Sequence, residues 1–234
     1  MKCQVKSAAA ACFAAFSTRS RLPVPDSEDP NSDEWTREWD ARMEALKPIL
    51  GEPGDIVFHA TIPFQFRDAG GSADVVPFPN HVRGATYVTA ELTGSDVGQR
   101  PSSLGHYELM ICTKQDLDEA ANFIARLACF TCDAVLEAGE TMDIGNFFGD
   151  SSLTAMLFTH PGSQPVQFDV QGQRCGLLLC VGITAEELAF ARAKGTGELL
   201  PLLEQHGVLP YTIPDRPSVP LPGGSSRLRK MFGR

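Results

Sequence analysis

The chain has 234 residues, 43% of them hydrophobic, which is enough to bury a core without disulfides or a structural metal. Its 29 acidic against 20 basic side chains leave a net charge of -9, which repels phosphate backbones and argues against nucleic-acid binding. No apolar run approaches the ~20 residues needed to cross a bilayer, and seven cysteines set mostly in apolar segments read as free thiols in a reducing, cytoplasmic compartment.

Residues 1–30 read as a disordered or processed N-terminal segment. The run Ala8 to Phe16 is flanked by Lys2, Lys6, Arg19 and Arg21 in the manner of a weak targeting signal, and the Pro-rich stretch from Pro23 to Asp33 cannot order itself by burial. The folded domain is placed at 31–219. Asn31 or Ser32 caps a helix with the apolar stripe Trp35, Trp39, Met43, Leu46 and Leu50, ended by Gly51. Gly54 to Phe66 reads as extended chain and Asp68 to Ser72 as a turn.

Ala85 to Leu92 and Leu104 to Thr113 alternate as half-buried strands. A helix follows, started by a capping box of Asp116 and Glu119, with a stripe from Leu117 to Val135 and Gly139 just past its end. Strands are expected at Leu153 to Thr159, around Val166 to Val170, and at Gly176 to Ile183, whose run of apolar residues places it mid-sheet. Thr184 and Glu187 form a second capping box, and Glu198 to His206 a short last helix. Strands in pairs with helices between them predict an α+β fold, a mixed, largely antiparallel sheet covered by helices. Residues 220–234, with Arg227, Arg229, Lys230 and Arg234, read as a basic flexible tail.

The sequence holds neither a Walker loop nor a dinucleotide glycine pattern nor a Gly-x-Ser-x-Gly elbow, so no cofactor is expected. Cys129 and Cys132 have redox-like spacing, but they fall inside a helix, away from the N-terminus that would activate a thiol, and no second pair completes a zinc site. No metal is expected, and the five histidines are scattered. The expectation is a non-catalytic domain that binds a protein partner. The alternative is a cysteine-dependent hydrolase or redox enzyme using Cys129 or Cys132 with a nearby histidine.

Tyr87-Val88-Thr89-Ala90-Glu91-Leu92 and Gly105 to Ile111 resemble the Suppressor of fused (SUFU) domain. Leu127-Ala128-Cys129-Phe130, Gly182 to Leu188 and Asp215-Arg216-Pro217-Ser218-Val219 agree with it in order, so the likeness runs from about residue 50 to 219. The resemblance implies an α+β domain without known catalysis. In eukaryotes such a domain sequesters transcription factors of Hedgehog signalling by clamping a short peptide; bacterial relatives are thought to include immunity proteins beside toxins. The chain ends soon after this domain, which removes the second half of the eukaryotic clamp from the expectation.

Glu91 and Glu108 lie opposite the apolar side of their alternating strands, and are expected to be solvated carboxylates that pair with a basic partner. The resemblance places the family's peptide-contacting acid between Gly139 and Asp143, at Glu140 or Asp143. Tyr107 is expected in the core with its hydroxyl satisfied, and Asp215 and Arg216 are candidates to tie the closing segment to the sheet.

Overall fold

A computed structural model describes residues 19–21, 30–94 and 98–222. The expected targeting segment and the basic tail lie almost wholly outside the described residues; α1 begins at Pro30, so Asn31 and Ser32 fall within its first turn and not at the expected cap. Within these bounds the strands are β1 (Arg19–Arg21), β2 (Ile56–Phe58), β3 (Val75–Pro77), β4 (Ala85–Thr89), β5 (His106–Thr113), β6 (Thr141–Asp143), β7 (Leu153–Thr159), β8 (Gln167–Val170) and β9 (Gln173–Thr184). The α-helices are α1 (Pro30–Leu50), α2 (Asp118–Asp133), α3 (Ala185–Lys194) and α4 (Thr196–Gln205).

The strands make one sheet in the order β1-β2-β3-β4-β5-β9-β7-β6, with β8 paired to β9. Every pairing is antiparallel except β5 with β9. This is the mixed, largely antiparallel sheet expected from the sequence, with β9 in its interior.

Each face of the sheet carries its own apolar layer. On one side Tyr107, Leu109 and Ile111 of β5 meet Ala121, Ile124, Leu127 and Ala128 of α2. On the other, Val88, Met110 and Cys112 meet Trp39, Met43, Leu46 and Leu50 of α1 and Leu188, Leu199 and Leu203 of α3 and α4. The two strands expected to be half-buried are therefore covered on both faces; beyond Ile56–Phe58, moreover, Phe64–Ala69 is a 3-10 helix and not extended chain.

Helix ends obey local chemistry unevenly. Thr184 Oγ1 accepts from Glu187 N at 3.3 Å and Glu187 Oε2 accepts from Thr184 N at 3.0 Å, the predicted capping box. The box expected at Asp116 and Glu119 is absent: α2 starts at Asp118 without a side-chain cap, and Asp116 accepts instead from the Tyr87 hydroxyl at 3.3 Å. That helix ends at Asp133, leaving Val135 outside it and 37% exposed.

The closing segment is fixed by Arg216. Its Nη1 and Nη2 each donate at 2.6 Å to the two oxygens of Glu187, and Nη2 also donates to Gly182 O at 3.0 Å. Burial pushes the Glu187 carboxyl up, but Arg216 and the amides of Thr184 and Val219 outweigh it and hold it below the ordinary value. One charge pair thus joins the α3 cap, the end of β9 and the closing segment.

Candidate functional site

The four candidate acids fall in two places, separated across the sheet by β9 and β7. Glu91 and Glu108 sit beside β4 and β5; Glu140 and Asp143 sit at β6.

Glu108 corrects the expectation of a solvated carboxylate, since it is 0% exposed. Its face of the sheet is roofed by α1, and α1 supplies Arg42, whose Nε lies 3.4 Å from Glu108 Oε1. Glu108 also accepts from Leu92 N at 3.0 Å, Thr93 N at 2.9 Å, Thr93 Oγ1 at 2.8 Å and Thr89 Oγ1 at 2.6 Å. Arg42 in turn donates to the carbonyls of Ala90 and Thr93. The turn after β4 is wrapped around the pair, its amides on the acid and its carbonyls on the base. Burial pushes the Glu108 carboxyl up, and Arg42 with these hydrogen bonds opposes the shift.

Glu91 is half-buried next to this pair. Its Oε2 accepts from Asp74 N at 2.7 Å, and Asp74 itself accepts from Ala60 N at 3.0 Å with His59 Nδ1 2.6 Å away. Burial first, and the Asp74 charge second, push Glu91 up to about 7. The arrangement binds α1, β2, β3, β4 and β5 together; Glu108 is wholly enclosed in it, while Glu91 remains partly exposed. Arg42 was missed in the sequence although it stands on the buried stripe of α1, three residues after Trp39 and four before Leu46; a lone cation on an apolar helix face is the readable sign of a buried acid.

The second place is the sheet edge. β6 pairs with β7 in the register Thr141↔Leu157, Met142↔Met156 and Asp143↔Ala155. Glu140 O accepts from Phe158 N at 3.0 Å, and Ile144 N donates to Thr154 O at 3.0 Å. By the alternation of an antiparallel ladder, the N–H and C=O groups of Thr141 and Asp143 point away from β7. Among the described residues no strand pairs with that side.

The side chains there are accessible. Asp143 is exposed and holds its carboxylate by accepting from Gly145 N at 2.9 Å. Glu140 is half-buried and accepts from Glu137 N at 3.1 Å. Met142 packs at the margin of the α2-side core with Phe147 and Phe148 from the following loop, whose rings lie 5.1 Å apart and 5.0 and 5.7 Å from Phe123. The strand was not expected from the sequence, because three residues carry too little alternation to register.

The cysteine chemistry is unfavourable to a nucleophile. Cys129 Sγ donates to Gly71 O at 2.9 Å, and burial pushes this thiol, like Cys112 and Cys175, up to about 11. Cys132 is raised for the same reason. A cleft of about 720 Å³ lies between the turn Thr113–Leu117 and the closing segment, but its Ser218 hydroxyl is engaged by Thr184 at 2.6 Å. Among the described residues no group of three or more His, Cys, Asp or Glu could hold a metal, and no helix is long and apolar enough to cross a membrane.

The sequence pattern described as Suppressor of fused protein (SUFU) matches residues 70–217, more than half of the chain. The chain belongs to the Suppressor of fused family. Among solved structures it is similar to a SUFU homolog from Neisseria gonorrhoeae FA 1090, at 20% identity and a TM-score of 0.56, covering 81% of this chain and 98% of that one. It is also similar to Drosophila Suppressor of Fused, at 15% identity and a TM-score of 0.57, covering 79% of this chain and 51% of that one, so it spans about half the fly protein. A chain of the Sufu-Fu complex matches at 13% identity and a TM-score of 0.51, covering 79% of this chain and 91% of that one. At these identities the likeness carries the fold. No curated protein matched the chain.

Proposed function

We propose that the chain is a non-catalytic domain that captures an extended segment of a protein partner along the outer edge of β6, with Glu140 and Asp143 facing its basic residues. The observation that carries this reading is the free edge itself. Outward-turned amide and carbonyl groups of Thr141 and Asp143 are a template for an added strand, and the adjacent carboxylates give it charge preference. A net charge of -9 favours encounter with a basic partner.

The capture of a partner by a family member, as in the Sufu-Fu complex, supports the class of function. The raised thiols weigh against the cysteine-enzyme alternative, and the five cysteines among the described residues, all free, accord with a reducing, cytoplasmic setting. The finer reading is that capture regulates the partner or neutralises a toxin, as an immunity protein does; growth of cells producing a toxin encoded beside the gene, with and without this chain, tests that part.

Selection of displayed random heptapeptides on the full chain tests the edge. Enriched peptides are expected on the wild type and not on Thr141→Pro, which removes only an outward-facing donor and obstructs strand addition. Equal enrichment on both proteins refutes the site.

A further inference from the structure

We infer that Asp74 and Glu91 form a pH-sensitive clasp on residues 59–73, holding that segment to the sheet while Glu91 carries a proton and loosening it when the proton leaves.

The segment is an excursion held mainly at its base. Past β2 the chain leaves the sheet, passes through the 3-10 helix Phe64–Ala69 and returns at β3. β2 itself meets β3 in the single register pair Phe58↔Val75. Asp74 closes the base, its carboxylate accepting from Ala60 N at 3.0 Å and lying 2.6 Å from His59 Nδ1. At the returning end Ala73 N donates to Ala125 O at 3.0 Å and Gly71 O accepts from Cys129 Sγ at 2.9 Å. Of the segment's isoleucine and two phenylalanines only Phe64 is buried; Ile62 and Phe66 are 38% and 53% exposed. Loosening it therefore uncovers little apolar surface, which places it at the low end of the local stabilities within a fold.

Glu91 grips the same residue from β4, its Oε2 accepting from Asp74 N at 2.7 Å. The groups around it come from every neighbouring element: Glu108 of β5 and Arg42 of α1, which bond each other, His59 after β2, and Cys129 of α2, itself near Arg67 of the 3-10 helix. Three carboxyls thus share Arg42 and the His59 ring. An ionised Glu91 binds Asp74 N more strongly, because the bond becomes charge-assisted, so it stays in place. The Asp74 backbone is fixed as well, its carbonyl accepting from Ala90 N at 2.9 Å. What can yield to the like charge is the Asp74 side chain, and it turns away only by releasing Ala60 N and His59.

The direction follows from which state holds the proton more tightly. Burial and the Asp74 charge push Glu91 up to about 7 in the closed arrangement against an ordinary 4.5, so opening becomes easier as pH rises. With Glu91 returned to its ordinary value when open, the opening equilibrium grows about tenfold between pH 6 and pH 8.

Hydrogen exchange of the full chain at pH 6, 7 and 8, each amide's rate divided by its intrinsic rate at that pH, reads this opening. Protection of Ala60 N and Ser72 N is expected to be lower than that of Leu109 N in β5 at every pH, and to fall about tenfold from pH 6 to pH 8. Glu91→Gln should hold it level across that range. Asp74→Asn keeps an acceptor for Ala60 N but removes the charge that Glu91 meets, and should flatten the profile likewise. Level protection in the wild type, or a fall of the same size in either folded variant, overturns the clasp. Equal protection of Ala60 N, Ser72 N and Leu109 N overturns it too, since exchange would then report unfolding of the whole molecule.

Discussion

Replacing Glu91 by Gln should make the protein more stable, and only at the higher end of the ordinary pH range. Glu91 titrates near 7 in the fold against an ordinary 4.5, so the native state holds its proton more tightly than the unfolded chain. The stability due to that proton is fully present below about pH 4.5 and is lost as pH rises to about 7. At ~1.4 kcal/mol per pH unit, the whole interval corresponds to roughly 3 kcal/mol as an upper limit, because the carboxyl is only half-buried. Gln keeps the acceptor for Asp74 N and removes the charge that faces Asp74 and Glu108. Urea unfolding at pH 4, 5, 6, 7 and 8 should show the variant level with wild type at pH 4, drawing ahead from pH 5 and ahead by about 1–3 kcal/mol at pH 8. A difference constant across pH, or one that grows toward acid, would refute the description of this network.

Three further outcomes follow from the same contacts. Arg216→Met leaves the 0% exposed Glu187 unpaired and should cost about 3–5 kcal/mol in urea unfolding at pH 7; since Glu187 is held below its ordinary 4.5, the loss should shrink as pH falls through that range. Gly105→Ala should cost about 2–3 kcal/mol in thermal unfolding, because φ is +86° and the new Cβ would lie 2.4 Å from Arg174 O; Gly145→Ala, with nothing within 4 Å, should cost about 1 kcal/mol. Native Cys112, Cys129 and Cys175 should react with a disulfide reagent at pH 8 only slowly until denaturant is added; a fast thiolate at pH 7 would restore the cysteine enzyme.

The central part of the fold was legible because its signals are local. The apolar run of β9 marked an interior strand, and Thr184 with Glu187 marked the start of α3, since a capping box needs only four consecutive residues. Arg216 was readable only as a candidate anchor, its partner lying 29 residues earlier. Glu108 was misread for a physical reason: polar residues alternating along β5 ordinarily mean a wet face, yet here α1 covers that face and Arg42 compensates the charge. The same acid therefore works as an internal staple, while Glu140 and Asp143 lie at the sheet edge and Glu91, half-buried like Glu140, stays beside the staple. What makes that edge useful, the unpaired side of β6, is a property of sheet order and is written in no single segment.

Hydrogen exchange of single amides tests the binding edge most directly. With a selected heptapeptide at saturation, the account predicts strong new protection at Thr141 N and Asp143 N, whose N–H groups turn outward, and little change at Met142 N, already bonded to β7. Protection confined to loops or to the cleft by the closing segment, with Thr141 and Asp143 exchanging as before, would contradict it.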